Sequence, residues 1–238
     1  EGEFLGGGLW QLNKSVGSPF KSVLKMALLM EYSDAKSNKN LVATQVKEMI
    51  FNNPSAMSYL DPYQNMLDRI LGYYENNGSA EELHLMRQCF FLKIAPKVER
   101  WMSSPQKAPR NVDSIMVDYC RDWQWKSEDI KKCEDFKHLG LAESIDLKNR
   151  CEHFMQKSLH KLESLTNSNQ INLSMSDLDR TKMINRLHSV YDDSRQKSDI
   201  IFPPFKSFIH DDSYTLKPKD VKDSTKEWHL YKGKQAVK

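Results

Sequence analysis

From about residue 9 to residue 195, apolar residues recur every three to four positions, the spacing of helices that bury one face. Phe20, Val23, Leu24, Ala27 and Leu28 follow Ser18-Pro19, which reads as an N-cap with proline at the first helical position. Val42, Val46, Met49 and Ile50 mark a weaker helix. The clearest face is Tyr63, Met66, Leu67, Ile70, Leu71 and Tyr74, opened by Asp61-Pro62 and stopped by Gly78. Ser79-x-x-Glu82 is a capping box for a helix carrying Leu83, Met86, Phe90, Ile94 and Val98, which Pro96 should kink or end early.

After the loop from Ser103 to Arg110, Val112, Ile115, Met116, Tyr119, Cys120 and Trp123 mark a further helix behind Asn111. A short helix follows Ser127 and ends near Gly140. A long one runs from about Ala142 to Leu165 with Ile145, Cys151, Phe154, Met155, Leu159 and Leu162 inward. Beyond residue 198 the pattern changes to short β-branched and aromatic runs, "DIIFPPF", "SYTLKP" and "EWHLYKG", separated by Pro, Asp and Lys. The expected architecture is mainly α, about eight helices over 1–197, followed by a short β-containing C-terminal segment over 198–238.

Composition narrows the function classes. The 238 residues suffice for a buried core, with 39% hydrophobic residues and a net charge of +3 from 35 basic and 32 acidic side chains. Interspersed acids and bases with so little excess charge argue against nucleic acid and against a membrane surface. No apolar run approaches the roughly 18 residues of a membrane helix. Cys89, Cys120, Cys133 and Cys151 show no C-x-x-C spacing and read as free, buried thiols of a reducing compartment. Opening on Glu1-Gly2-Glu3 and closing soon after an aromatic run, the chain reads as a piece of a longer polypeptide.

One stretch resembles chemistry. "SMSDLDR" (Ser174 to Arg180) carries Asp177 and Asp179 one residue apart, like a metal-binding Asp-x-Asp. Such a pair works on a strand, where i and i+2 share a face; on a helix they diverge by roughly 200°. Met183, Ile184, Leu187, Val190 and Tyr191 continue at helical spacing, and no glycine lies between Gly140 and Gly233. The two acids are therefore read as the start of a helix, with Ser176 as its cap and no metal bound. The seven histidines form no H-x-x-x-H pattern, and His153 and His160 share a face without an obvious third ligand. Gly6-Gly7-Gly8 lacks the context of a phosphate loop and is expected to be a flexible lead into a helix at Leu9.

A basic set near the N-terminus has two readings. Lys14 and Ser15 precede the Ser18 cap, and Lys21 and Lys25 stand four apart on one face of the next helix. The set is either a solvated lysine face or three ammoniums beside a helix N-terminus that hold a triphosphate.

"GLWQLNKSVGSPFKSVLKMALLMEYS" (Gly8 to Ser33), "DPYQNMLDRILGYY" (Asp61 to Tyr74) and "LMRQCFFLKIAPKVER" (Leu85 to Arg100) resemble successive segments of class I adenylate cyclase, the enterobacterial, cytoplasmic type. "WQWKSEDI" (Trp123 to Ile130) and "EWHLYKG" (Glu227 to Gly233) fall in the same order. The resemblance implies a helical domain following a palm of the polymerase-β-like nucleotidyltransferases. It implies conversion of ATP to 3',5'-cyclic AMP and pyrophosphate with divalent metals, Mg2+ or Mn2+. By that alignment the family's Gly-Ser turn and metal aspartates precede Glu1, so no catalytic residue is carried over and the chain alone is expected to be inactive. Lys14, Ser15, Lys21 and Lys25 are then candidate contacts to the ATP triphosphate. The alternative is a helical regulatory module that touches no nucleotide and contacts a signalling protein of sugar transport or another part of its parent.

Overall fold

The structure, a computed structural model, describes residues 2–15, 17–34, 40–53, 62–104, 112–136, 141–168, 181, 185, 214–218, 228–232 and 235–236. Among them are eight α-helices: α1 (Gly2–Ser15), α2 (Pro19–Tyr32), α3 (Val42–Asn52), α4 (Pro62–Asn77), α5 (Ala80–Ile94), α6 (Val112–Asp122), α7 (Ser127–Glu134) and α8 (Leu141–Ser168). A 3-10 turn covers Glu99–Trp101. Three short segments, β1 (Tyr214–Pro218), β2 (Trp228–Lys232) and β3 (Gln235–Ala236), form an antiparallel ladder with Leu216 opposite Leu230. The chain is mainly α. The expected boundary at 197/198 lies outside the described residues.

Two compact units are present, one of Glu1–Ile94 with Cys151–Ile200 and one of Ala95–Arg150 with Ile201–Lys238. In the first, α2 packs on α1, α4 and α5, and α3 leans on α4. Leu12, Val23, Met26, Leu67, Ile70, Met86 and Phe91 are essentially sealed from solvent. Burying each such side chain is worth roughly 1.5–3 kcal/mol. Tyr74 tilts against Phe154 with ring centroids 6.1 Å apart, tying α8 to α4.

Local chemistry sets the element ends. Ser79 and Glu82 make the reciprocal capping box that opens α5: the Glu82 N–H donates to Ser79 Oγ at 3.1 Å, and the Ser79 N–H to Glu82 Oε2 at 3.0 Å. Helix α5 stops at Ile94, two residues before Pro96, and Ala95 turns left-handed at φ 52°. Gly78 ends α4 by close approach. A Cβ there would lie 2.5 Å from Tyr74 Cδ1 and 2.9 Å from the Tyr74 carbonyl oxygen.

Two expectations are corrected. Ser18 precedes α2 and Pro19 starts it, but with ψ at 66° the Ser18 hydroxyl makes no capping hydrogen bond. Gly6-Gly7-Gly8 is not a lead into a helix: α1 begins at Gly2 and includes all three. The reason at Gly8 is packing, since a Cβ there would meet Leu162 Cδ1 of α8 at 2.5 Å. Glycine's helix penalty, roughly 1 kcal/mol, is offset by that contact.

In the second unit, Met116, Val117 and Cys120 of α6, Trp123 just after it, and Ile130 and Cys133 of α7 are buried. Trp123 stacks on Tyr119 at 5.3 Å and meets Trp125 at 5.1 Å. The Glu134 carboxylate accepts from the N–H groups of Val98 and Glu99 at 2.6 and 2.7 Å, so α7 caps the 3-10 turn. Lys97 adds its N–H to Asp113 Oδ1 at 3.2 Å.

Candidate functional site

The basic set lies on the hairpin of α1 and α2. Both the Gly17 and Ser18 N–H groups donate to the Lys14 carbonyl, at 3.1 and 3.0 Å, which closes the connection and brings the end of α1 to the start of α2. Lys14 is in the last turn of α1 and exposed. Lys21 and Lys25 are half-buried on α2, one helical turn apart. The three lysines make no ion pair among the described residues. Ser15 differs. It is 2% exposed and its hydroxyl donates to the Leu12 carbonyl at 2.6 Å, so its proton is committed to the helix.

Chemically, the hairpin offers cations beside the amide end of a helix whose N-cap hydroxyl is unused. Lys14 favours the negative end of α1, and Lys21 stands in the first turn of α2, where the helix dipole is positive. Like charge added at a positive helix end is unfavourable for the fold alone, and an anion there would relieve it.

The periodicity did not single out a second constellation, farther along α2. Glu31, 4% exposed, accepts from Arg69 of α4 through both oxygens, Nε to Oε2 at 3.0 Å and Nη2 to Oε1 at 2.9 Å. Arg69 also donates to the Asn40 carbonyl and lies 4.8 Å over the Tyr32 ring. The Tyr32 hydroxyl accepts from the Val42 N–H at 2.8 Å, which starts α3. Tyr73 donates to Asp34 at 2.9 Å, and burial together with that bond pushes its phenol up to about 12. The signal was present in the sequence. Glu31 lies four residues after Ala27 and seven after Leu24 on the apolar stripe, and a carboxylate there requires a cation.

The described residues offer no metal centre: no three His, Cys, Asp or Glu side chains converge. His84 and His153 are exposed, and His160 pairs with Glu163 at 3.5 Å. Asp177 and Asp179 of "SMSDLDR" lie outside the described residues. All four cysteines are free and buried, and burial pushes the Cys120 thiol up to about 12, which makes it a poor nucleophile. No helix among the described residues is long and apolar enough to cross a membrane.

The family described as adenylate cyclase, class-I, second domain, matches residues 1–202. The chain is 26% identical over 217 residues to an adenylate cyclase of Yersinia intermedia, covering 90% of this chain and 25% of that protein. It is 27% identical over 232 residues to one of Proteus mirabilis, covering 96% and 26%. Against the adenylate cyclase of Escherichia coli K12 it is 26% identical over 230 residues, covering 96% and 27%. The chain thus spans about a quarter of the length of the curated relatives it matches. No solved structure matches it. With the family matched over most of its length, the chain belongs to the class I adenylate cyclases, in the region of their second domain.

Proposed function

We propose that this chain is the helical part of a cytoplasmic class I adenylate cyclase that converts ATP to 3',5'-cyclic AMP and pyrophosphate. In this reading Mg2+ or Mn2+ is bound outside the chain, and Lys14, Lys21 and Lys25 contact the triphosphate. Ser15 holds the last turn of α1 in place behind Lys14. The observation that carries the reading is the second-domain match over residues 1–202. Three lysines without ion-pair partners among the described residues, gathered at one hairpin, support the triphosphate contact. Departing pyrophosphate needs cations at the β- and γ-phosphates.

The test is Lys21→Ala with Lys25→Ala in the full-length cyclase. KM for ATP should rise about tenfold or more, the scale of lost hydrogen bonds to charged groups. Unchanged KM and turnover would remove the lysines from the site. The isolated chain should show no magnesium-dependent cyclase activity.

A second reading, an interaction module for a regulatory protein of sugar transport, draws on exposed apolar side chains. Leu41 is 41%, Met49 43% and Phe51 86% exposed, all at or on α3. Titration with a non-hydrolysable ATP analogue separates the two. Spectral shifts at Lys14, Lys21 and Lys25 favour the nucleotide, and silence there favours the module.

A further inference from the structure

Trp10 stands out on the lysine hairpin. It is the largest side chain type there is, yet it is 59% exposed, while its helix neighbours Leu9 and Leu12 are sealed at 1% and 0%. Four residues on, one turn along the same face, stands Lys14; four residues back stands Gly6. The rise from Trp10 to Lys14 is about 6 Å at 1.5 Å per residue. Along the α1–α2 hairpin, Lys14 falls near the level of Lys21 and Trp10 near that of Lys25, counting outward from the connection at Gly17 and Ser18.

Gly6 is the second observation. Gly8 is required by Leu162, and Gly7 would touch Leu29 at 4.0 Å, but a Cβ at Gly6 would meet nothing within 4 Å. Packing therefore gives no reason for a glycine at this turn, where alanine would make a better helix. Among the described residues the space over Gly6, one turn from Trp10 on the face that carries Lys14, is open.

We propose that Trp10 is the platform on which the purine base of ATP stacks, with Gly6 leaving room for the ring. The proposal rests on the triphosphate reading of the lysines, and it assigns the other end of the same nucleotide. The base lies against the indole, and the phosphate chain starts beside Lys25 and runs toward Lys14 and Lys21. A lysine's flexible four-carbon stem spans what the helix rise leaves. Aromatic stacking accepts any base, so Trp10 gives affinity for a nucleotide and leaves the choice of adenine to other groups.

The experiment is kinetic, in the full-length cyclase, with Trp10→Ala, Trp10→Phe and the Lys21→Ala/Lys25→Ala pair, using ATP as substrate and inorganic tripolyphosphate as inhibitor. Trp10→Ala should raise KM for ATP about tenfold with turnover retained, and Trp10→Phe should stay within about threefold. Tripolyphosphate has no base, so its inhibition constant should be unchanged in Trp10→Ala and raised in the lysine pair. An unchanged KM in Trp10→Ala overturns the platform and leaves the lysine reading standing. Loss of tripolyphosphate binding in Trp10→Ala also overturns it, because the tryptophan would then act through the fold. If the lysine pair alters neither constant, the triphosphate reading falls by itself.

Discussion

Helix α2 carries charges of two kinds. Glu31, near its C-terminal end, is 4% exposed and gripped at both oxygens by Arg69. Lys21 and Lys25, near its start, are half-buried and have no ion-pair partner among the described residues. A buried charge is tolerated only with its partner in place, so Glu31 and Arg69 belong to the fold. Half-buried lysines that make no ion pair among the described residues contribute little to a fold. Charges that the architecture does not use are the ones to test against a ligand.

The largest expected effect comes from breaking the buried pair. Arg69→Met takes the bidentate guanidinium away from buried Glu31 and also removes the donor to the Asn40 carbonyl. The loss should be roughly 3–5 kcal/mol in urea unfolding. Adding Glu31→Met should recover a large part of it, since the penalty is the unpaired charge more than the missing bond. If the double variant is as unstable as the single, the pair is not what holds α2 to α4.

A smaller effect should come from Tyr73, beside that pair. Its phenol is pushed up from 10.0 to about 12, by burial first and then by the bond to Asp34. A raised folded-state pKa contributes stability that is complete below pH 10 and is lost as the pH climbs through about 12. Tyr73→Phe should therefore flatten the alkaline limb of the stability curve. The change is expected to be under about 1 kcal/mol, because the partly exposed group is screened by water. Urea midpoints at pH 8 and pH 11 for both proteins decide it.

Helical periodicity made most of this fold legible, and it failed where contacts came from far along the chain. Leu67, Ile70, Leu71 and Tyr74 could be read as one buried face because a 3.6-residue repeat is a local property. The Ser79–Glu82 box was readable for the same reason. Gly8 was not, because its role depends on Leu162, which no local pattern connects to it. Glu134 capping the turn after α5 is likewise set 35 residues away. Met49 sits at a helical spacing that suggests burial and is 43% exposed, since periodicity shows a face without showing what covers it. For the site, the residue types and the hairpin were readable. That Ser15 turns inward to Leu12, and Trp10 outward, depended on which side of α1 the core takes.

The smallest stability effect should fall on the lysines, and its smallness is the informative part. Lys21→Ala and Lys25→Ala remove no ion pair among the described residues and place a better helix former at each position. Each should change stability by no more than about 0.5 kcal/mol in either direction. Raising the ionic strength should shrink that difference, because salt screens the repulsion between Lys21 and the positive end of α2. Thermal melting of both variants at low and high salt checks it. A loss of 2 kcal/mol or more, the scale of a buried contact, would place these lysines with Arg69 as parts of the scaffold. A negligible loss, combined with a raised KM for ATP in the full-length cyclase, would separate the two charge sets of α2 by what each one serves.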